Sequence, residues 1–162
     1  FEMDFAATEN LTLSFAGSYN DAKLSENFWR IDEDRISGEA PTAPKGTAMP
    51  YVPELQLTFI GRYNFSVGSL PAFGQLALSY RDKAWNDLEV AVREQMDSYT
   101  IMNLSTGIEK NNWSLTLYCN KLTDERGQVD ILNPGYPSPS GIEFNQNIIR
   151  PRSFGIRWAQ RF

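Results

Sequence analysis

The chain has 162 residues, of which 41% are hydrophobic and 13% aromatic, and its formal net charge is −5. A mean hydropathy of −0.41 and the lack of any apolar run near the ~18 to 20 residues of a membrane-spanning helix exclude a helical membrane protein. The acidic balance argues against nucleic-acid binding, because such proteins concentrate Lys and Arg on one surface.

Alternation of large apolar side chains with small or polar ones predicts β-strands in the first half of the chain. Residues 1–7 are predicted to form a first, partial strand, followed by a tight turn at residues 8–10. The next strand begins at Leu11 and is expected to run for about 13 residues. The alternation is clearest from Leu55 to Ser66, which predicts a third strand.

Four more strands are predicted after residue 66. After a turn at residues 67–71, alternation returns around residues 75–80, 100–108 and 113–119. In the closing strand, residues 152–162, apolar Phe154, Ile156 and Trp158 lie on one face, and Arg157 and Arg161 on the other. In a transmembrane barrel the apolar face meets lipid and the polar face meets the lumen.

The connections between these strands alternate in length. Residues 8–10, 67–71 and 109–112 are short, whereas residues 24–51, 82–98 and 124–147 are long. Bacterial outer-membrane barrels have short periplasmic turns and long extracellular loops, and they close with an even number of strands. The sequence therefore predicts an all-β fold: an antiparallel transmembrane β-barrel segment of about seven strands from a larger barrel.

The order and spacing of several motifs resemble the C-terminal barrel of TonB-dependent outer-membrane receptors. The motifs are Tyr19–Lys23, Gly46–Pro53, Tyr99–Leu104, Asn112–Trp113 with Leu122–Glu125, and Arg150–Gly155. The resemblance covers essentially all of residues 1–162 and implies a barrel of about 22 strands. It also implies that the plug domain and the N-terminal strands are absent from this chain.

This resemblance implies a bacterial outer-membrane receptor that takes up a scarce nutrient, such as a ferric siderophore, by energy coupling. Its implied partners are outer-membrane lipid, the barrel-assembly machinery, a small-molecule ligand and, through the missing N-terminal part, the energy-transducing TonB complex. A passive porin-like outer-membrane channel and a soluble β-sandwich or lipocalin-like binding protein remain alternatives.

The residues give no sign of catalysis. The chain has no histidine, which removes Ser-His-Asp and Cys-His arrangements, and it has no Walker-type glycine loop, CxxC or HExxH motif. The single cysteine, Cys119, continues an apolar alternation and is interpreted as a small apolar residue. We therefore expect no enzymatic activity and no catalytic, cofactor-binding or metal-binding residues.

Two groups of residues are candidates for function. The predicted outer loops carry aromatic and acidic side chains that could contact a ligand, although Asp32–Asp34 lack the spacing of an EF-hand. These ligand-contact candidates are Phe28, Trp29, Asp32, Asp34 and Tyr136. The closing strand resembles the signal that the barrel-assembly machinery recognises, in Ser153, Gly155, Trp158 and Phe162.

Overall fold

A computed structural model describes residues 1–132 and 145–161, with the backbone alone at residues 32–34, 132 and 145. Predicted positions at Tyr136 and Phe162 lie outside the described residues. The elements, in chain order, are β1 (Glu2–Ala6), β2 (Leu11–Tyr19), α1 (Asp32–Ser37), β3 (Leu55–Val67), β4 (Leu70–Arg81), β5 (Ala84–Trp85), β6 (Gln95–Met96), β7 (Tyr99–Lys110), β8 (Trp113–Asn120), β9 (Gln128–Leu132), β10 (Asn145–Ile148) and β11 (Ser153–Gln160).

Seven of the strands form one antiparallel sheet in the order β1-β2-β3-β4-β7-β8-β11, so that neighbours in the sheet follow one another along the chain. The all-β, antiparallel, seven-stranded prediction is confirmed. The sheet is open within the described residues, with β1 and β11 at its two edges. The described residues contain one short helix, α1. No described helix is long and apolar enough to cross a membrane.

The pairing register places most of the large apolar residues of the seven strands on one side of the sheet, called here the apolar face. Across five strands, Met3 lies opposite Phe15, Phe15 opposite Phe59, Phe59 opposite Leu78, and Leu78 opposite Met102. A register slip of one residue would reverse the face of every side chain. The shared register therefore produces a continuous apolar surface from strands that are each only half apolar.

No second layer of the described chain covers the apolar face. Most of its large side chains are exposed or half-buried, including Leu57 (38%), Leu117 (48%) and Ile156 (71%), whereas the small Ala72 and Cys119 are buried. Contacts of the long strands are with their sheet neighbours. A soluble sandwich would bury these side chains between two sheets.

The opposite side of the sheet, the polar face, carries Arg157, as the alternation predicted, and also Arg62. Arg62 lies opposite Gln75 and Arg157 opposite Thr116. The Arg62 guanidinium stacks 3.8 Å from the ring centroid of Phe73, and Phe73 is buried against Gly107. Gly107 is required here, because a Cβ would stand 2.7 Å from the Leu115 carbonyl oxygen.

Short turns join the strands at one end of the sheet, the short-turn edge. Gly68 has φ 61° and forms a two-residue turn with Ser69 between the paired Val67 and Leu70. The predicted turn at residues 67–71 was too long, because Pro71 pairs with Ser66 inside β4. Proline is accommodated because its missing N–H would point toward β7, whose pairing with β4 begins only at Ala72.

Long connections, residues 20–54, 82–98 and 121–152, leave the opposite end, the long-loop edge. The predicted alternation of short and long connections is confirmed. The strand from Leu11 is shorter than expected, with 9 residues, because the chain turns into the first long connection after Tyr19. The long connections are not plain loops: they contain α1, the β5–β6 pair and the β9–β10 pair.

Candidate functional site: the loop layer

The described parts of the three long connections, residues 20–54, 82–98, 121–132 and 145–152, pack together at the long-loop edge and are called the loop layer. Much of the tightest burial in the described chain is here: Ala43 (0%), Met96 (2%), Ile131 (4%) and Ala84 (5%). Met96, Ala84 and Ile131 form one apolar cluster that joins the second connection to the third. The loop layer is therefore a folded unit with its own small core.

The first connection rises from the sheet as two extended arms. Backbone hydrogen bonds link Leu24 to Thr47 (2.9 Å), and Phe28 to Ala43 in both directions (2.8 and 3.1 Å). The Asn27 side chain accepts the Lys45 N–H at 2.8 Å. These bonds satisfy backbone groups that lie outside the main sheet, and they hold the tip that carries α1.

Tyr51 joins all three connections. Its N–H donates to the Trp85 carbonyl (2.7 Å), its carbonyl accepts from the Arg81 guanidinium (3.1 Å), and its hydroxyl donates to Asp130 Oδ1 (2.8 Å). Tyr51 has φ 61°, a left-handed conformation that costs free energy for a bulky residue and persists where surrounding contacts fix it. Burial raises the pKa of the Tyr51 hydroxyl, and the hydrogen bond to Asp130 raises it further.

Asn86 is a buried polar side chain between the second and third connections, with 5% of its surface exposed. Its Nδ2 donates to the Ile131 carbonyl at 2.8 Å, and its Oδ1 accepts the Glu94 N–H at 2.6 Å. A buried amide without partners would be costly, and both ends of this one are satisfied. Asn86 thus closes the β5–β6 hairpin and attaches it to β9.

The first and second connections are also joined away from Tyr51. Arg30 forms an ion pair with Glu89 at 2.7 Å, and the Val90 N–H donates to the Thr42 carbonyl at 3.2 Å. The partly exposed ion pair contributes little to stability, but the backbone bond fixes the same two segments in register. The three connections therefore form one body over the long-loop edge.

Two of the predicted ligand-contact residues lie at the distal end of the first connection. Phe28 is 41% exposed, whereas Trp29 is half-buried and its Nε1 donates to the Glu39 carbonyl at 3.1 Å. The Arg35 guanidinium lies 5.7 Å from the Trp29 ring centroid. Phe28 thus offers an open aromatic face, and Trp29 holds α1 against the arms.

The remaining ligand-contact candidates are not tested by the described side chains. Asp32 and Asp34 lie in α1, where the backbone alone is described, and Tyr136 lies outside the described residues. Elsewhere in the described chain, no three His, Cys, Asp or Glu side chains are placed to hold a metal ion. Phe28 is therefore the ligand-contact candidate whose side chain is seen open to solvent in the described part of the chain.

The predicted assembly residues occupy both faces of β11. Trp158 is 66% exposed on the apolar face opposite Leu115, and Ser153 lies on the polar face opposite Asn120. Gly155 lies under the Tyr118 ring, which a Cβ at this position would strike. Phe162 lies outside the described residues, so the assembly signal stays a prediction.

Sequence reasoning missed Tyr51 and Asn86, the two residues that bind the loop layer together. Tyr51 lies within the Gly46–Pro53 motif, which was used for the resemblance but not for a site. Asn86 is followed by charged residues and looks like any solvated loop position. A polar residue beside the aromatic Trp85 was the one local hint of burial.

Comparisons with known proteins agree with the fold. No protein-family model matches the sequence, and no curated protein matches it. The crystal structure of the siderophore receptor PiuA from Acinetobacter baumannii is similar, with a TM-score of 0.65 and 20% sequence identity over 96% of this chain. The chain spans 20% of the length of that receptor. The similarity therefore extends to the fold of part of that structure.

Proposed function

We propose that this chain is part of the β-barrel of an outer-membrane receptor that takes up a scarce nutrient, such as a ferric siderophore, by TonB-dependent transport. Residues 1–162 would form the C-terminal part of the barrel, with the polar face toward the lumen and the loop layer toward the cell exterior. The protein would act by binding and conformational change, without catalysis.

The observation that carries this proposal is the uncovered apolar face. It includes exposed Leu57, Leu104, Leu117, Ile156 and Trp158 across the breadth of the sheet. A monomer in water rarely exposes a contiguous apolar surface of this extent. Hydrocarbon is the environment in which such a face is stable without a second layer.

The lengths of the strands also support a membrane environment for the sheet. β3 has 13 residues, and β4 and β7 have 12 each. A tilted strand needs ~9 to 11 residues to cross a bilayer, and strands in soluble proteins are typically about half as long as β3.

The open edges of the sheet support a larger barrel. Lipid cannot hydrogen-bond the backbone groups along the outer sides of β1 and β11, so a sheet in a membrane must close. We propose that further strands complete the ring. The similarity to the siderophore receptor PiuA supports this arrangement.

Membrane fractionation tests the environment. The protein in its native cells is expected in the outer-membrane fraction, resistant to extraction with alkaline carbonate and soluble in detergent. It should also migrate differently on a gel before and after heating, as closed barrels do. Recovery of the chain as a stable monomer in detergent-free buffer would contradict the proposal and favour the soluble binding protein.

Energy dependence distinguishes the receptor from a passive channel. Uptake of a radiolabelled ferric siderophore should require the protein and stop when the proton-motive force is dissipated. Uptake that continues without it, together with steady conductance in planar bilayers, would assign the barrel to the porin-like alternative.

A further inference from the structure

Positive charge collects where the apolar face meets the loop layer at the end of β8 and β11. Lys121 directly follows β8, and Arg152 directly precedes β11. They stand just beyond Ser153–Asn120, the last residue pair between the two strands. Lys121, Arg150 and Arg152 are called here the basic patch.

The basic patch borders exposed apolar surface. The Arg152 guanidinium lies 5.8 Å from the ring centroid of Phe154, and Phe154 is 72% exposed on the apolar face. Ile156 follows on the same face with 71% exposed. A cation held over an apolar ring at the end of this face is therefore at the boundary between apolar and polar surroundings.

The heads of two of these side chains are held by backbone carbonyls. Lys121 Nζ donates to the Arg150 carbonyl at 2.7 Å, and Arg152 donates to the Leu122 carbonyl at 3.2 Å. None of the three forms an ion pair with a carboxylate of the described residues. The Asp124 side chain accepts the Arg152 backbone N–H at 2.9 Å instead.

The charged groups where the sheet meets the loop layer, called here the rim, differ at other strands. Beyond β2, Lys23 is neutralised by Asp21 at 2.6 Å, and beyond β4, the Tyr80 hydroxyl donates to Asp82 at 3.1 Å. Arg81, at the end of β4, and Lys83, just beyond it, are further cations, and the Arg81 guanidinium donates to the Tyr51 carbonyl at 3.1 Å. What distinguishes the end of β8 and β11 within the described residues is that a cation, Arg152, lies over an exposed ring of the apolar face.

We infer that the basic patch binds the phosphate of an anionic lipid whose acyl chains lie on the neighbouring Phe154 and Ile156. This inference rests on the proposed function, because the apolar face must meet a bilayer. Cations beside an apolar surface attract anionic headgroups, whereas a neutral headgroup gains no net charge interaction. The fixed cation positions reduce the entropy that binding must overcome.

Native mass spectrometry of the full-length protein in neutral detergent tests the inference. The probes are phosphatidylglycerol, which carries a net negative charge, and phosphatidylcholine, which does not. The test variant combines Lys121→Gln, Arg150→Gln and Arg152→Gln. A control variant removes as many cations from the first two connections: Lys23→Gln, Lys45→Gln and Lys83→Gln.

We expect wild type and the control to retain phosphatidylglycerol in preference to phosphatidylcholine. The test variant should bind phosphatidylglycerol about tenfold to a hundredfold more weakly, since each basic residue near an anionic surface contributes several-fold. Lysine in place of Arg150 and Arg152 should preserve the preference, which separates lost charge from lost folding.

Equal retention of both lipids by wild type, or an equal loss in the control variant, would overturn the inference while leaving the barrel proposal intact. Equally strong binding of soluble glycerol phosphate would also overturn it, because the acyl contacts would then be irrelevant. A protein that stays in buffer and enters no micelle would overturn both proposals together.

Discussion

The Tyr51 hydroxyl donates a hydrogen bond to Asp130 at 2.8 Å, across 79 residues of sequence. The bond links the end of the first long connection to β9 in the third. Because the Tyr51 backbone also bonds to Trp85 and Arg81, one residue fixes the relative position of three segments. The shape of the loop layer therefore depends on Tyr51.

Replacing Tyr51 by phenylalanine should loosen the third connection. The change removes one hydrogen bond and leaves the Asp130 carboxylate with its Asn147 partner at 3.2 Å, so we expect a loss of about 1 kcal/mol in unfolding free energy. Amide hydrogen exchange should rise at residues 128–132. The control is Tyr63→Phe, because the Tyr63 side chain is half-exposed and its hydroxyl makes no hydrogen bond within the described chain. An equal rise in hydrogen exchange at residues 128–132 in Tyr63→Phe would contradict the prediction.

The same hydroxyl predicts a loss of stability in alkali. The pKa of Tyr51 is raised above its ordinary 10.0 in the folded protein, first by burial and then by Asp130. The stabilisation is therefore complete below about pH 10 and is lost as the pH rises through the raised pKa. Thermal unfolding across this range should show a steeper decline in wild type than in Tyr51→Phe; identical slopes would count against it.

Asn86→Ala should detach the second connection from the third. It leaves the buried Ile131 carbonyl and Glu94 N–H unpaired, which costs about 1 to 3 kcal/mol for each group. Limited proteolysis should cleave residues 82–98 faster, with the sheet still intact by circular dichroism. Asn86→Asp keeps the acceptor for Glu94 but sets a buried carboxylate against the Ile131 carbonyl, so it should be at least as sensitive to protease as Asn86→Ala. Wild-type resistance to protease in Asn86→Ala would show that these bonds do not hold the connection.

Gly107→Ala should destabilise the sheet, whereas Gly74→Ala should not. A Cβ at position 107 would lie 2.7 Å from the Leu115 carbonyl oxygen and 2.8 Å from Phe73 Cε1, but one at position 74 meets nothing within 4 Å. Overpacking of this kind costs about 1 to 3 kcal/mol, and the open site should change stability by less than about 0.5 kcal/mol. Denaturant unfolding of the two variants in the same detergent measures the difference, and comparable midpoints would refute the crowding at Gly107.

Arginine should be tolerated at Ser105 and not at its neighbour Leu104. Leu104 is 46% exposed on the apolar face, and Ser105 projects to the polar face. Arginine facing lipid near the midplane costs ~2 to 4 kcal/mol, whereas the lumen side can solvate it. Reversible unfolding in lipid vesicles of Leu104→Arg and Ser105→Arg should show this order. A larger loss for Ser105→Arg would mean that the faces are assigned the wrong way round.

The strands could be predicted from the sequence because their signal is local. Residues such as Leu55, Leu57 and Phe59 repeat every second position, and the pleat turns that repeat directly into a face. The placement of short turns at one end of the sheet and long connections at the other could also be predicted, because connection length can be counted along the chain.

The loop layer could not be predicted in the same way. Tyr51 and Asp130 are far apart in sequence, and no periodicity relates them. The left-handed backbone of Tyr51 has no glycine or asparagine to signal it. The Asn86 side chain bonds to Glu94 in its own connection and to Ile131 in the third. Contacts of this kind become visible only when the sheet has brought its ends together.

Chain order and sheet order are identical in this molecule, and each strand runs opposite to the one before it. Gain or loss of one up-and-down pair would therefore leave the direction of all the others unchanged. The width of such a sheet can change by whole hairpins during evolution, while the short turns stay at one end and the long connections at the other.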